Sequence, residues 1–170
     1  TPFLSSCVAG LTAESSAETD SAEKERWGVL AYAMTTLRTA RSFEGLHIDV
    51  TPSDEPPWDA DVTVVLVGNG RCFPEGEHTQ ANVEDGLLDV TIVERAGNLH
   101  AVGESAAHVL GVDTEHVRQF LTPHLAIDIR GTPDQVSIDG EITTATSLDV
   151  GVRPSTLWLA VGDGYESHPT

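Results

Sequence analysis

The sequence predicts an α+β domain that is mainly β, with about eight strands in an antiparallel, β-sandwich-like arrangement, one long N-terminal helix and two short helices. Short apolar runs rich in Val, Ile and Leu recur along the chain, separated by Gly, Pro, Asp and Thr. Such runs suit a pleated, half-buried surface. Helical spacing occurs in two places only, and strands and helices do not alternate as they would in a doubly wound sheet. With 170 residues the chain fits a single domain spanning 1–170 and can bury a real core without disulfides or a structural metal.

Taken in order, residues 3–8 read as a strand, followed by a glycine turn at Gly10-Leu11-Thr12-Ala13. Asp20 and Glu23 have capping-box spacing, and Trp27, Leu30, Ala31, Met34 and Leu37 repeat at three and four, predicting a helix over about 21–41 with one apolar face. Leu46, Ile48 and Val50 alternate with His47, Asp49 and Thr51, the pattern of a half-buried strand. Asp54-Glu55-Pro56-Pro57 ends it. Strands over 62–67 and 87–93 then flank a polar loop rich in Gly, Glu and His. Between 101 and 121 the apolar spacing is helical and broken near Gly111 and Asp113, so two short helices are expected. Four strands close the chain, over 124–129, 135–139, 147–152 and 156–161.

Charge is the extreme property. Twenty-seven acidic residues against nine basic ones give a formal −18, and Lys24 is the one lysine. A nucleic-acid partner is excluded on this ground, because a polyanion is held by Lys and Arg that displace its counterions. The acids are scattered among patterned apolar positions, which points to a folded protein of a high-salt cytoplasm, where screening relieves acid–acid repulsion. No apolar run is long enough to cross a bilayer as a helix and no signal peptide opens the chain, so a cytoplasmic protein is expected. The chain begins without Met on strand-like Thr1-Pro2-Phe3-Leu4, which predicts a boundary inside a longer protein or a processed start. Cys7 and Cys72 match neither a metal motif nor a secreted disulfide framework and read as buried free thiols.

No Walker A loop, strand-linked G-x-G-x-x-G or G-x-S-x-G elbow is present. Glu104 and His108 stand at i,i+4, a spacing more typical of a weak polar pair on a helix than of a metal site. The loop between the two central strands ends in Asp85-Gly86, a dipeptide suited to a tight turn that gathers several oxygens.

Three ordered segments carry a family resemblance. Asn69-Gly70, Ala81 and Glu84-Asp85-Gly86-Leu87-Leu88-Asp89-Val90 are similar to the C-terminal domain of the diacylglycerol kinase family of lipid kinases, which includes sphingosine-kinase-like enzymes. Lys24-Glu25-Arg26-Trp27-Gly28-Val29-Leu30-Ala31-Tyr32 resembles that family's K-x-x-x-G-x-L-A-Y helix, and Val136-Ser137-Ile138-Asp139-Gly140-Glu141 resembles its late D-G-E turn.

The resemblance implies the C-terminal domain of an enzyme that transfers the γ-phosphate of ATP to the hydroxyl of a lipid alcohol such as diacylglycerol. It implies Mg²⁺ held by the Asp85 carboxylate with the backbone carbonyls of Asn82 and Leu87, a donor set that suits a hard cation keeping several waters. It implies Glu141 as the catalytic base for the lipid hydroxyl. ATP, the co-substrate, would be bound mainly by an N-terminal domain carrying a G-G-D-G-T motif, which this chain lacks, so the chain alone is expected to be inactive. The implied partners are the lipid alcohol, that ATP-binding domain of the same protein and a transient membrane surface. The chain departs from the family at Pro74-Glu75-Gly76-Glu77, where glycines and a Met are usual, and at Thr79, where Pro is usual. Two alternatives remain open at this point, a non-catalytic lipid- or protein-binding β-domain and an enzyme of the NAD kinase type.

Overall fold

The computed structural model describes residues 1–10, 45–69, 83–95 and 117–162. Within them lie nine strands: β1 (Ser6–Gly10), β2 (Leu46–Pro52), β3 (Trp58–Gly68), β4 (Leu88–Glu94), β5 (Val117–Thr122), β6 (His124–Ile129), β7 (Asp134–Ile138), β8 (Glu141–Ala145) and β9 (Ser147–Gly151). Every pairing is antiparallel, in the order β8-β7-β1-β3-β2-β6-β9, with β4 on β3 and β5 on β4. The result is one curled sheet resembling half a barrel.

Strand β3 organises it. Its second half pairs with β1 from Val64 to Gly68, and its first half pairs with β2 from Trp58 to Val62. Strand β4 also pairs with β3, with a register irregularity between Val62 and Val64. A strand serving three partners has to be apolar along most of its length, and 62–68 is buried throughout. Val62, Val65 and Val67 join Ile48, Val50, Val90, Ile92, Leu125 and Ile127 in the core. Gly10 ends β1 with φ +90, and a Cβ there would lie 2.4 Å from the Thr63 carbonyl oxygen, so only glycine permits this approach.

Strands were expected at all the central positions, and 124–129 has the predicted bounds. Three expectations are corrected. Residues 117–121, read as the end of a helix, belong to β5, because all six residues from Val117 to Thr122 pair with β4 and Arg118 stacks 4.0 Å over the Trp58 ring. The Val117, Phe120 and Leu121 spacing fits a helix, but the open edge of β4 decides the conformation. Residues 156–161, read as a strand, have no ladder partner among the described residues. There a turn at Pro154 and Ser155, with Ser155 at φ 56, leads the chain off the sheet. Finally, β8 is an additional strand. The expected helix over 21–41 and the 101–116 part of the second helical region lie outside the described residues, so the described part of the domain contains strands and turns but no helix. No described helix is long and apolar enough to cross a membrane.

Candidate functional site

Asp139-Gly140 forms a two-residue hairpin turn between β7 and β8, with Ile138 paired to Glu141. Asp139 has φ 48 and Gly140 φ 89, the pair of positive values that the tightest hairpins require. Aspartate tolerates this region better than most side chains. Its carboxylate then does something the sequence did not disclose. Oδ2 accepts from the Leu4 N–H at 2.7 Å, and Oδ1 accepts from Ser5 N–H at 2.8 Å and Ser6 N–H at 2.9 Å. The Asp139 N–H in turn donates to the Ser6 carbonyl at 2.9 Å. Desolvation works to raise the Asp139 pKa, but the three backbone donors outweigh it and hold the carboxyl below its ordinary value. The turn and the chain entering β1 are thereby clasped together, and Glu141, first residue of the edge strand β8, is exposed just beyond the clasp.

The same end of the sheet carries the other turn. Asn69 donates its backbone N–H to the Ser5 carbonyl at 2.9 Å and its side-chain amide to the Leu4 carbonyl at 3.3 Å. Gly68 pairs with Asp89. Just before β4, Asp85 Oδ1 accepts the Leu87 N–H at 2.7 Å, which fixes the carboxylate over its own turn. Gly86 has φ +74, and a Cβ there would meet Pro154 Cγ at 3.3 Å, so the segment after β9 packs on this turn.

Asp89 is 5% exposed, and burial first, then the charge of Asp85, raise its pKa to about 6. A hard cation held at the Asp85 turn would offset this repulsion. Of the three implied ligands, Asp85 and Leu87 share the turn and Asn82 lies outside the described residues. Among the described residues no three His, Cys, Asp or Glu side chains converge as a metal site, so any cation here would rely on one carboxylate, carbonyls and water. Asp85 and Glu141 share an end of the sheet but not adjacent strands. From Glu141 the register steps through Ile138, Cys7 and Val67 to Val90, four spacings of about 4.8 Å, or roughly 19 Å along the sheet.

Residues 5–161 match the family described as YegS C-terminal NAD kinase beta sandwich-like domain. The chain belongs to this family. A protein named "Probable lipid kinase YegS-like" from Pseudomonas aeruginosa (strain UCBPP-PA14) is 29% identical over 160 residues, covering 91% of this chain and 51% of that protein. Another of the same name from Stenotrophomonas maltophilia (strain K279a) is 33% identical over 86 residues, covering 49% of this chain and 28% of that protein. The chain thus spans at most about half the length of these relatives. A diacylglycerol-kinase-type structure from Bacillus anthracis str. Sterne superposes with a TM-score of 0.64 at 24% identity, covering 88% of this chain and 51% of that one. At that identity the likeness establishes the shared fold.

The membership answers the family expectation directly. Sequence reasoning found both turns but not the Asp139 clasp. The Asp139-Gly140 dipeptide signals the turn, but nothing in the local sequence signals the partners of its carboxylate, which are more than 130 positions away.

Proposed function

We propose that this domain is the C-terminal half of an ATP-dependent lipid kinase that phosphorylates the hydroxyl of a lipid alcohol such as diacylglycerol. The observation that carries the reading is membership of the YegS C-terminal family together with relatives named as lipid kinases. That naming also favours the lipid reading over an NAD kinase.

In this reading Glu141 is the catalytic base. It stands exposed on β8, beyond which no strand lies among the described residues, on a turn fixed by the Asp139 clasp, so its carboxylate can reach a hydroxyl delivered from outside. The carboxylate takes the hydroxyl proton as the alcohol oxygen bonds to the γ-phosphorus; the bond from that phosphorus to the β,γ-bridging oxygen breaks and ADP leaves. Asp85, with the carbonyls of Leu87 and Asn82, would hold Mg²⁺, whose charge would offset the acids of this turn. ATP would be held mainly by the half of the relatives' length that this chain does not span. The enzyme would work in the cytoplasm at a transient contact with the membrane that holds its substrate.

The test is phosphate transfer from labelled ATP to diacylglycerol in mixed micelles, using the whole polypeptide in which the domain naturally occurs. Label should enter the organic phase with Mg²⁺ present and should not do so with the 170-residue chain alone. Absence of transfer from the whole polypeptide to any of a panel of lipid alcohols would remove the kinase reading.

A further inference from the structure

The six backbone N–H and C=O groups of residues 4–6 are all bonded to two residues, Asp139 and Asn69. Asp139 accepts the three N–H groups on its carboxylate and donates its own N–H to the Ser6 carbonyl. Asn69 takes the other two carbonyls, that of Ser5 with its backbone N–H at 2.9 Å and that of Leu4 with its side-chain amide at 3.3 Å. Leu4 and Ser5 precede β1 and belong to no strand ladder. Residues 4–6 therefore form a strut between two separate turns, since Asn69 follows β3, Asp139 follows β7, and β1 lies between those strands.

We propose that Asn69 is a positioning residue for Glu141, acting through residues 4–6 from roughly 14 Å away, three strand spacings of about 4.8 Å across the sheet. The peptide plane transmits the effect. The Leu4 carbonyl and the Ser5 N–H belong to one planar unit, and the Ser5 carbonyl and the Ser6 N–H to the next. Asn69 grips each unit by its oxygen, and so aims the N–H on the opposite side at Asp139 Oδ1. Without that grip both units can rotate, and the carboxylate loses the alignment of its donors. The ladder between β1 and β7 ends at Cys7 and Ile138, so among the described residues the Asp139 contacts to the strut are what tie the turn beyond it to the rest of the sheet. Strand β8 cannot compensate, because it pairs with β7 alone among the described strands and starts at Glu141 itself. A catalytic group misplaced by about 1 Å can lose about 10²-fold in rate, so a turn freed in this way costs activity before it costs the fold.

The proposal rests on the reading of Glu141 as the base, and a double-variant cycle in the whole polypeptide separates the two. Asn69→Asp sets a carboxylate against the Leu4 carbonyl, and Asn69→Ala removes the amide donor more gently, which keeps the test open if the Asp variant does not fold. Each should speed hydrogen exchange at the Ser5 and Ser6 amides by roughly tenfold and leave the β2 and β6 amides unchanged. The kcat for transfer to diacylglycerol should fall by roughly 10–10²-fold with KM for ATP unaltered. Combined with Glu141→Gln, neither substitution should slow transfer further, because an absent base cannot be misplaced; a merely structural role for Asn69 would make the losses multiply. Multiplying losses, with Glu141→Gln alone slow, would overturn the positioning role and leave Glu141 as the base. Unchanged exchange at Ser5 and Ser6 in both Asn69 variants would overturn it too. Transfer by Glu141→Gln at the wild-type rate would remove the base and this proposal together.

Discussion

Asp139→Ala removes the acceptor of three backbone N–H groups and places alanine at φ 48. Hydrogen bonds to a charged acceptor contribute about 1.5–3 kcal/mol each when shielded, and two of these three are solvent-exposed, so the set should contribute roughly 2–3 kcal/mol. The left-handed backbone adds about 1 kcal/mol for alanine. For a domain of this size the sum, about 3–4 kcal/mol, lowers Tm by roughly 6–16 °C, at 2–4 °C per kcal/mol. Asp139→Asn keeps the tolerance for positive φ and one carbonyl acceptor, so it should cost about half as much. The pH dependence follows from the direction of the shift. A carboxyl lowered in the fold contributes stability that is fully present above its unfolded value, about 3.9, and lost as pH falls through the lower folded value. The gap between wild type and Asn variant should thus be constant above about pH 5 and close below about pH 4. Thermal melts across pH, with hydrogen exchange at Leu4, Ser5 and Ser6, measure both. An Ala variant within about 0.5 kcal/mol of wild type, with unchanged exchange at those amides, would refute the clasp.

Other outcomes follow from charge, burial and the metal turn. The formal −18 should make Tm rise between about 0.1 and 2 M KCl, as the Debye length contracts from about 10 Å to under 3 Å; a flat profile contradicts the high-salt origin. Cys7 is 3% exposed, and burial first, then the charge of Asp139, push its thiol up to about 11. In a Cys72→Ser background Cys7 should resist iodoacetamide at pH 8 until the fold is unfolded by urea, and the stability it contributes should be complete below about pH 9 and lost as pH rises through 11. Asp85→Asn in the whole polypeptide should raise the Mg²⁺ concentration needed for half-maximal activity, and an unchanged Mg²⁺ titration removes Asp85 as a ligand.

Where one face of a strand is buried, its alternation is visible in the sequence, and Leu46–Pro52 and His124–Ile129 were legible for that reason. Glu141–Ala145 was not, because Glu-Ile-Thr-Thr is exposed on both faces and its pairing is imposed by the Asp139-Gly140 turn. Val117–Thr122 misled because a six-residue segment is too short for periodicity to separate strand from helix. Thr122 closes that strand through tertiary contacts, its hydroxyl 2.6 Å from Asp54 Oδ1 and 2.8 Å from the His124 carbonyl. For the site, Asp85 and Glu141 could be named from turn chemistry and family resemblance, and their common end of the sheet follows only from register. The Asp139 contact to Leu4 joins residues 135 positions apart, a proximity that local pattern does not encode.

The central claim is a lipid kinase in which Glu141 takes the proton of the alcohol, and single-turnover phosphate transfer by a Glu141→Gln enzyme tests it most directly. Glutamine keeps the size and most of the hydrogen bonding at this exposed strand end but removes basicity. In the whole polypeptide, transfer to diacylglycerol should slow by roughly 10²–10⁴, with KM for ATP and Tm close to wild type. A Glu141→Gln enzyme that transfers phosphate at the wild-type rate would contradict the account and leave Glu141 a solvated turn carboxylate.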